Sequence, residues 1–65
     1  METEVYRDYY GCWAYLRILY GGAAELTVYR PDGWLCHVKI YKTRRGARIA
    51  MGRLSDSWER RQEHV

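Results

Sequence analysis

Sixty-five residues with a net charge of +3 read as one domain. A chain this short buries only about 60% of its unfolded surface, too little for a deep, water-excluding catalytic cleft. No apolar run approaches the roughly 20 residues of a bilayer-spanning helix. The acidic Met1-Glu2-Thr3-Glu4 start does not read as a signal peptide, so a soluble cytoplasmic protein with no membrane contact is expected.

In chain order, residues 1–12 carry the weakest pattern, with Val5 to Tyr10 as a candidate edge strand. Trp13–Tyr20, Ala24–Arg30 and Trp34–Tyr41 are rich in β-branched and aromatic residues and read as three strands. Gly21-Gly22 and Pro31-Asp32-Gly33 separate them. In the second turn Pro sets φ for a type I turn, and Gly33 suits the left-handed bulge position.

Parity of the hydrophobic pattern then suggests a register. A three-residue Pro-Asp-Gly loop pairs Arg30 with Trp34, Val28 with Cys36 and Leu26 with Val38, and sets Glu25 against Lys39 on the other face. A three-residue loop at Gly21–Ala23 pairs Ile18 with Leu26 and Leu16 with Val28. A one-residue slip would invert a face. One face then holds Ala14, Leu16, Ile18, Leu26, Val28, Cys36, Val38 and Ile40. The other holds Trp13, Tyr15, Arg17, Thr27, Tyr29, Leu35, His37, Lys39 and Tyr41.

Thr43 suits the N-cap of a helix from Arg44. Ala47, Ala50, Met51, Leu54 and Trp58 form one apolar stripe on it. Ser55–Glu59 reads as a short restarted helix with an Asp-x-x-Glu capping pattern. The expected fold is α+β: a three-stranded, or with the N-terminal segment four-stranded, antiparallel sheet packed on one C-terminal helix.

Charge is concentrated at the last strand-to-helix junction. Residues 39–53 contain Lys39, Lys42, Arg44, Arg45, Arg48 and Arg53 and no acid, whereas residues 1–38 sum to −2 and residues 54–65 to −1. Arginines in the first turns of a helix oppose its dipole at a cost of a few tenths of a kcal/mol each. That makes Lys42, Arg44, Arg45, Arg48 and Arg53 a candidate anion- or partner-binding set; Lys39 drops out if Glu25 neutralises it. The bland alternative is a solvated cationic face.

Tyr15, Arg17, Tyr29, His37 and Tyr41 form a second candidate, an aromatic and basic sheet face suited to stacking bases or nucleotides. All ten aromatics are Tyr or Trp, which favour interfaces and stacking sites over dry cores. The alternative is that this face packs on a second copy of the chain or on the N-terminal segment.

Nothing in the residues assembles a reaction centre. Cys36 and His37 are adjacent and should point to opposite faces, and no carboxylate is placed to orient the imidazole. Cys12, Cys36, His37 and His64 follow no zinc spacing. With the first and third strands of the meander separated by the second, about 9–10 Å apart, the cysteines lie beyond the ~7 Å reach of a disulfide and read as free thiols. The glycines match no phosphate loop. The expectation is a non-enzymatic protein without cofactor.

The run Arg45-Gly-Ala-Arg-Ile-Ala-Met-Gly-Arg-Leu54, after a strand ending in Tyr41-Lys42, resembles the Gly-Arg-x-Ile-Ala-x-Gly-Arg helix of short phage-encoded accessory proteins. Ala47 stands where the Arg after the first Gly usually falls. The resemblance implies a stoichiometric role: an anti-defence inhibitor, of the anti-CRISPR kind, that blocks a host protein or sequesters a signal nucleotide. By architecture alone, a three-stranded sheet with one helix is also similar to integrase N-terminal domains that lay the sheet in the DNA major groove. Direct DNA or RNA binding through the sheet face and a structural homodimer are therefore the competing readings.

Overall fold

The computed structural model describes residues 2–61. Its elements are β1 (Thr3–Arg7), β2 (Trp13–Ile18), β3 (Ala24–Tyr29), β4 (Leu35–Tyr41), α1 (Arg44–Leu54) and β5 (Glu59–Arg61), with a short 3-10 turn at Tyr20–Gly22. The α+β class and the single helix match expectation; the strand count does not. The sheet has five strands in the order β4-β3-β2-β1-β5, every pair antiparallel. The N-terminal segment lies inside the sheet rather than at its edge. Ser55–Glu59 does not restart a helix: Ser55 is extended and the chain enters β5.

β2 and β3 alternate as half-buried strands should, with Ala14, Leu16, Ala24, Leu26 and Val28 buried on one face. Burial of Leu16 and Leu26 stabilises the fold by on the order of 2 kcal/mol each. Over this face α1 carries the chain from β4 to β5, packing Ala47 and Met51 into the same cluster with Tyr41, Ala50 and Trp58 beside them. Leu54, expected on the stripe, stays largely exposed. Thr43 caps the helix as its sequence suggests, its Oγ1 accepting from Gly46 N at 3.0 Å. At the other end Trp58 closes the turn by donating its indole N–H to the Met51 carbonyl, at 2.8 Å.

The registers differ from the parity argument in two ways. Between β2 and β3 the pairs are Leu16↔Leu26 and Ala14↔Val28, a two-residue slip from expectation. Leu19 N bonds Ala23 O across Tyr20-Gly21-Gly22, so the loop begins one residue earlier. A two-residue slip preserves faces, so the core assignment for both strands survives.

Between β3 and β4 the expected start holds, with Arg30 N bonded to Trp34 O and Tyr29 paired with Leu35. A bulge then intervenes, and Val28 pairs with His37. The extra residue is Cys36. From there every side chain of β4 is inverted. His37, Lys39 and Tyr41 take the helix face, while Val38 and Ile40 take the outer face, 55% and 59% exposed. Glu25 therefore meets Ile40 instead of Lys39, and its carboxylate pairs with Arg17 at 2.8 Å. Lys39 sits over the Tyr41 ring at 5.4 Å.

Candidate functional site

The two residue sets singled out from the sequence have different fates. Arg44 and Arg48, in the first turns of α1, project toward β1. Both Arg48 bonds come from Nη2, at 2.9 and 2.8 Å to the two Glu4 carboxylate oxygens. Arg44 donates to Glu2 at 2.6 Å and lies 3.9 Å from Glu4, as does Arg60 of β5. The Tyr6 hydroxyl completes the shell, donating to Glu4 at 2.7 Å. Glu4 is 1% exposed, yet every polar atom of its side chain is partnered.

The anion that these arginines call for at the helix start is thus Glu4, assisted by Glu2, from the chain's own first strand. Burial alone would raise the Glu4 carboxyl pKa. The Arg48 and Tyr6 hydrogen bonds and the charges of Arg48 and Arg60 outweigh it and hold the group below the usual carboxylate range. Burial and the neighbouring Glu4 carboxylate push Tyr6 up. Lys42, Arg45 and Arg53 form no ion pair among the described residues and remain on the surface.

The aromatic set is also divided. Tyr15, Arg17 and Tyr29 occupy the outer sheet face, as expected. Tyr15 is not opposite Tyr29 but diagonal to it, with ring centroids 5.8 Å apart and nearly perpendicular. Thr27 is the cross-strand partner of Tyr15, and Trp13 that of Tyr29. His37 and Tyr41 do not belong to this face. The bulge turns them to the helix side, where His37 Nε2 and Tyr41 Oη are 3.0 Å apart.

The outer face holds a groove of about 560 Å³ lined by Trp13, Tyr15, Thr27, Tyr29, Arg30, Pro31 and Gly33. Its floor is the Trp13↔Tyr29 pair and its rim is the Pro-Asp-Gly turn. Arg7 lies over the Trp13 ring at 4.8 Å and holds one wall. The β1–β2 loop steadies the same end. There Asp8 Oδ1 accepts from Tyr10 N and Cys12 N, and Gly11 takes a left-handed φ of 92°. An L side chain would be strained at that φ. Two cations on this face are matched by acids, Arg17 by Glu25 and Arg30 by Asp32 at 3.0 Å, while Arg7 stacks on Trp13.

Trp13 was assigned to this face from the sequence but not counted among its binding residues, and Arg30 and Pro31 were missed. Arg30 and Pro31 could have been found from their place in the turn that follows Tyr29, whereas Trp13 reaches Tyr29 only through the β2–β3 register. Cys12 and Cys36 are free thiols. Burial and the Asp8 carboxylate raise the Cys12 pKa, which keeps it protonated and a poor nucleophile at neutral pH. His64 lies outside the described residues. No protein-family model matches the chain, and comparison with curated proteins and with solved structures returned no match.

Proposed function

We propose that this chain is a small non-enzymatic binding protein that acts stoichiometrically on another protein, with the outer sheet face as its contact surface. One observation carries the reading: an uncovered groove built from Trp13, Tyr15 and Tyr29, with Arg7 stacked on Trp13 and with Arg17 and Arg30 already paired with acids. Trp, Tyr and Arg dominate the energetics of protein interfaces, and a face of low net charge suits a protein more than a polyphosphate. The helix Arg45–Leu54 and its resemblance to phage accessory proteins favour a host defence protein as the partner, which makes the chain an anti-defence inhibitor. Lys42, Arg45 and Arg53 are the cations left to meet an acidic rim on that partner.

The test is recovery of the partner from defence-carrying cells with tagged wild type and with the Trp13→Ala/Tyr15→Ala double variant. Loss of the partner in the folded double variant is expected. Equal recovery would remove the sheet face from the reading.

A second reading, a nucleotide or single strand held in the groove, is favoured by Arg30 at the rim. Its pairing with Asp32 leaves both side chains about half exposed, so a phosphate could exchange for the carboxylate. Binding that weakens steeply with salt is its signature. The absence of any oligonucleotide or nucleotide binding at low salt would dismiss it.

A further inference from the structure

Among the described residues, the two edge strands of the sheet are built differently. β5 is three residues long and wholly charged, Glu59-Arg60-Arg61. Short, charged strands of this kind are how sheets discourage further pairing. β4 runs seven residues, and nothing pairs with its outer side among the described residues. Because of the bulge, its exposed outer-face residues are apolar, Val38 and Ile40. Its helix face carries Lys39, and Lys42 follows directly.

The charge carried by β4 itself has one sign, and Glu25, opposite Ile40 on β3, is held by Arg17. From Gly33 to Ser55 the sequence contains no Asp or Glu, and the preceding acid, Asp32, is held by Arg30. Lys39 and Lys42 form no ion pair among the described residues.

We infer that β4 accepts an extended segment of the partner protein by strand addition, and that this segment alternates apolar with acidic side chains. Main-chain hydrogen bonds to the open edge give affinity in this mode, and alternate side chains give specificity. Strand alternation fixes the pattern: apolar side chains fall beside Val38 and Ile40 on the outer face, and acidic ones beside Lys39 on the other. A second copy of the chain is a poorer occupant. Antiparallel pairing of β4 with itself centred on Lys39 sets that lysine directly against its own copy, β4 supplies no acid to separate them, and directly opposed like charges destabilise a ladder. The inference rests on the protein-binding reading above and names the chemistry of the partner.

The experiment titrates the full, nitrogen-labelled chain with a short capped peptide of alternating Val and Glu and follows backbone amide resonances. Saturable shifts centred on Leu35–Lys42 are expected. They should vanish when Lys replaces Glu in the peptide or when alternate peptide amides are N-methylated. Lys39→Glu should weaken binding by about tenfold. Shifts absent from β4, an equal response to the Val-Lys peptide, or a β4-mediated dimer of the free chain would overturn strand addition. So would a cellular partner lost with Trp13→Ala/Tyr15→Ala but retained by Lys39→Glu, which leaves the protein-binding reading standing.

Discussion

The two faces of this sheet solve opposite problems. The helix face is closed: Ala14, Leu16, Leu26 and Val28 are covered by α1, and the one buried carboxylate there is fully partnered. The outer face presents Trp13, Tyr15, Tyr29, Val38 and Ile40 with no element of the described chain laid over them. This domain holds its shape through one face, and the other is the face proposed above to meet a partner. Substitutions on the closed face should therefore register as stability, and those on the open face as binding.

The largest effect should come from Glu4→Ala. It removes the acceptor of Tyr6 and Arg48 and restores the repulsion of Arg44 and Arg48 by the helix dipole. A loss of about 2 kcal/mol is expected, a fall in Tm on the order of 10 °C for a domain of this size, read by thermal denaturation. A Tm unchanged within error would show that the closed face does not depend on this carboxylate.

Acid should act through the same group. The Glu4 pKa is lowered in the folded state. Its stabilisation is present above the unfolded carboxylate value of about 4.3 and is lost as pH falls through the lower folded value. Urea midpoints should drop between pH 5 and pH 3 in the wild type and drop less in Glu4→Gln. Parallel curves for the two proteins would reassign the acid sensitivity to another carboxylate.

On the open face the pattern should reverse. Tyr15→Ala is expected to change stability by less than about 1 kcal/mol while weakening partner binding by 2 kcal/mol or more, roughly thirtyfold. Smallest of all is the effect of Lys42→Gln, Arg45→Gln and Arg53→Gln on folding, within about 0.5 kcal/mol each. The contrast with Arg48→Gln, which loses both Glu4 bonds, sharpens the division inside a single run of cations.

That division shows what the sequence could and could not convey. Local signals were legible: the Thr43 cap, the Ala47/Met51 stripe and the alternation that assigns faces to β2 and β3. Parity is blind to a two-residue slip, so Leu16 found Leu26 instead of Val28 without changing face. It is equally blind to a bulge, and a single extra residue at Cys36 reversed Val38, Ile40, His37 and Tyr41. β1 was only partly legible, as a candidate edge strand at Val5–Tyr10, because one of its two core-facing residues is Glu4, which no apolar pattern marks. β5 hid because three charged residues carry no strand signal, and pairing with β1 makes them one.

The cationic block posed an electrostatic question that its own neighbourhood could not answer. The acids that resolve it, Glu2 and Glu4, lie 42 and 44 residues from their arginine partners and meet α1 only through the tertiary fold. Contacts of such long sequence separation leave no periodic trace.

The bulge at Cys36 also bears on how this chain can vary. Leu35 pairs with Tyr29 and His37 with Val28, consecutive positions on β3, so removing Cys36 would leave every remaining pair with its present neighbour. The residue is one position more on β4 than β3 has to oppose it, the two-against-one count of a bulge. Natural variants that differ by one residue here would keep the same faces, and a gap-free alignment through β4 would compare inward positions with outward ones.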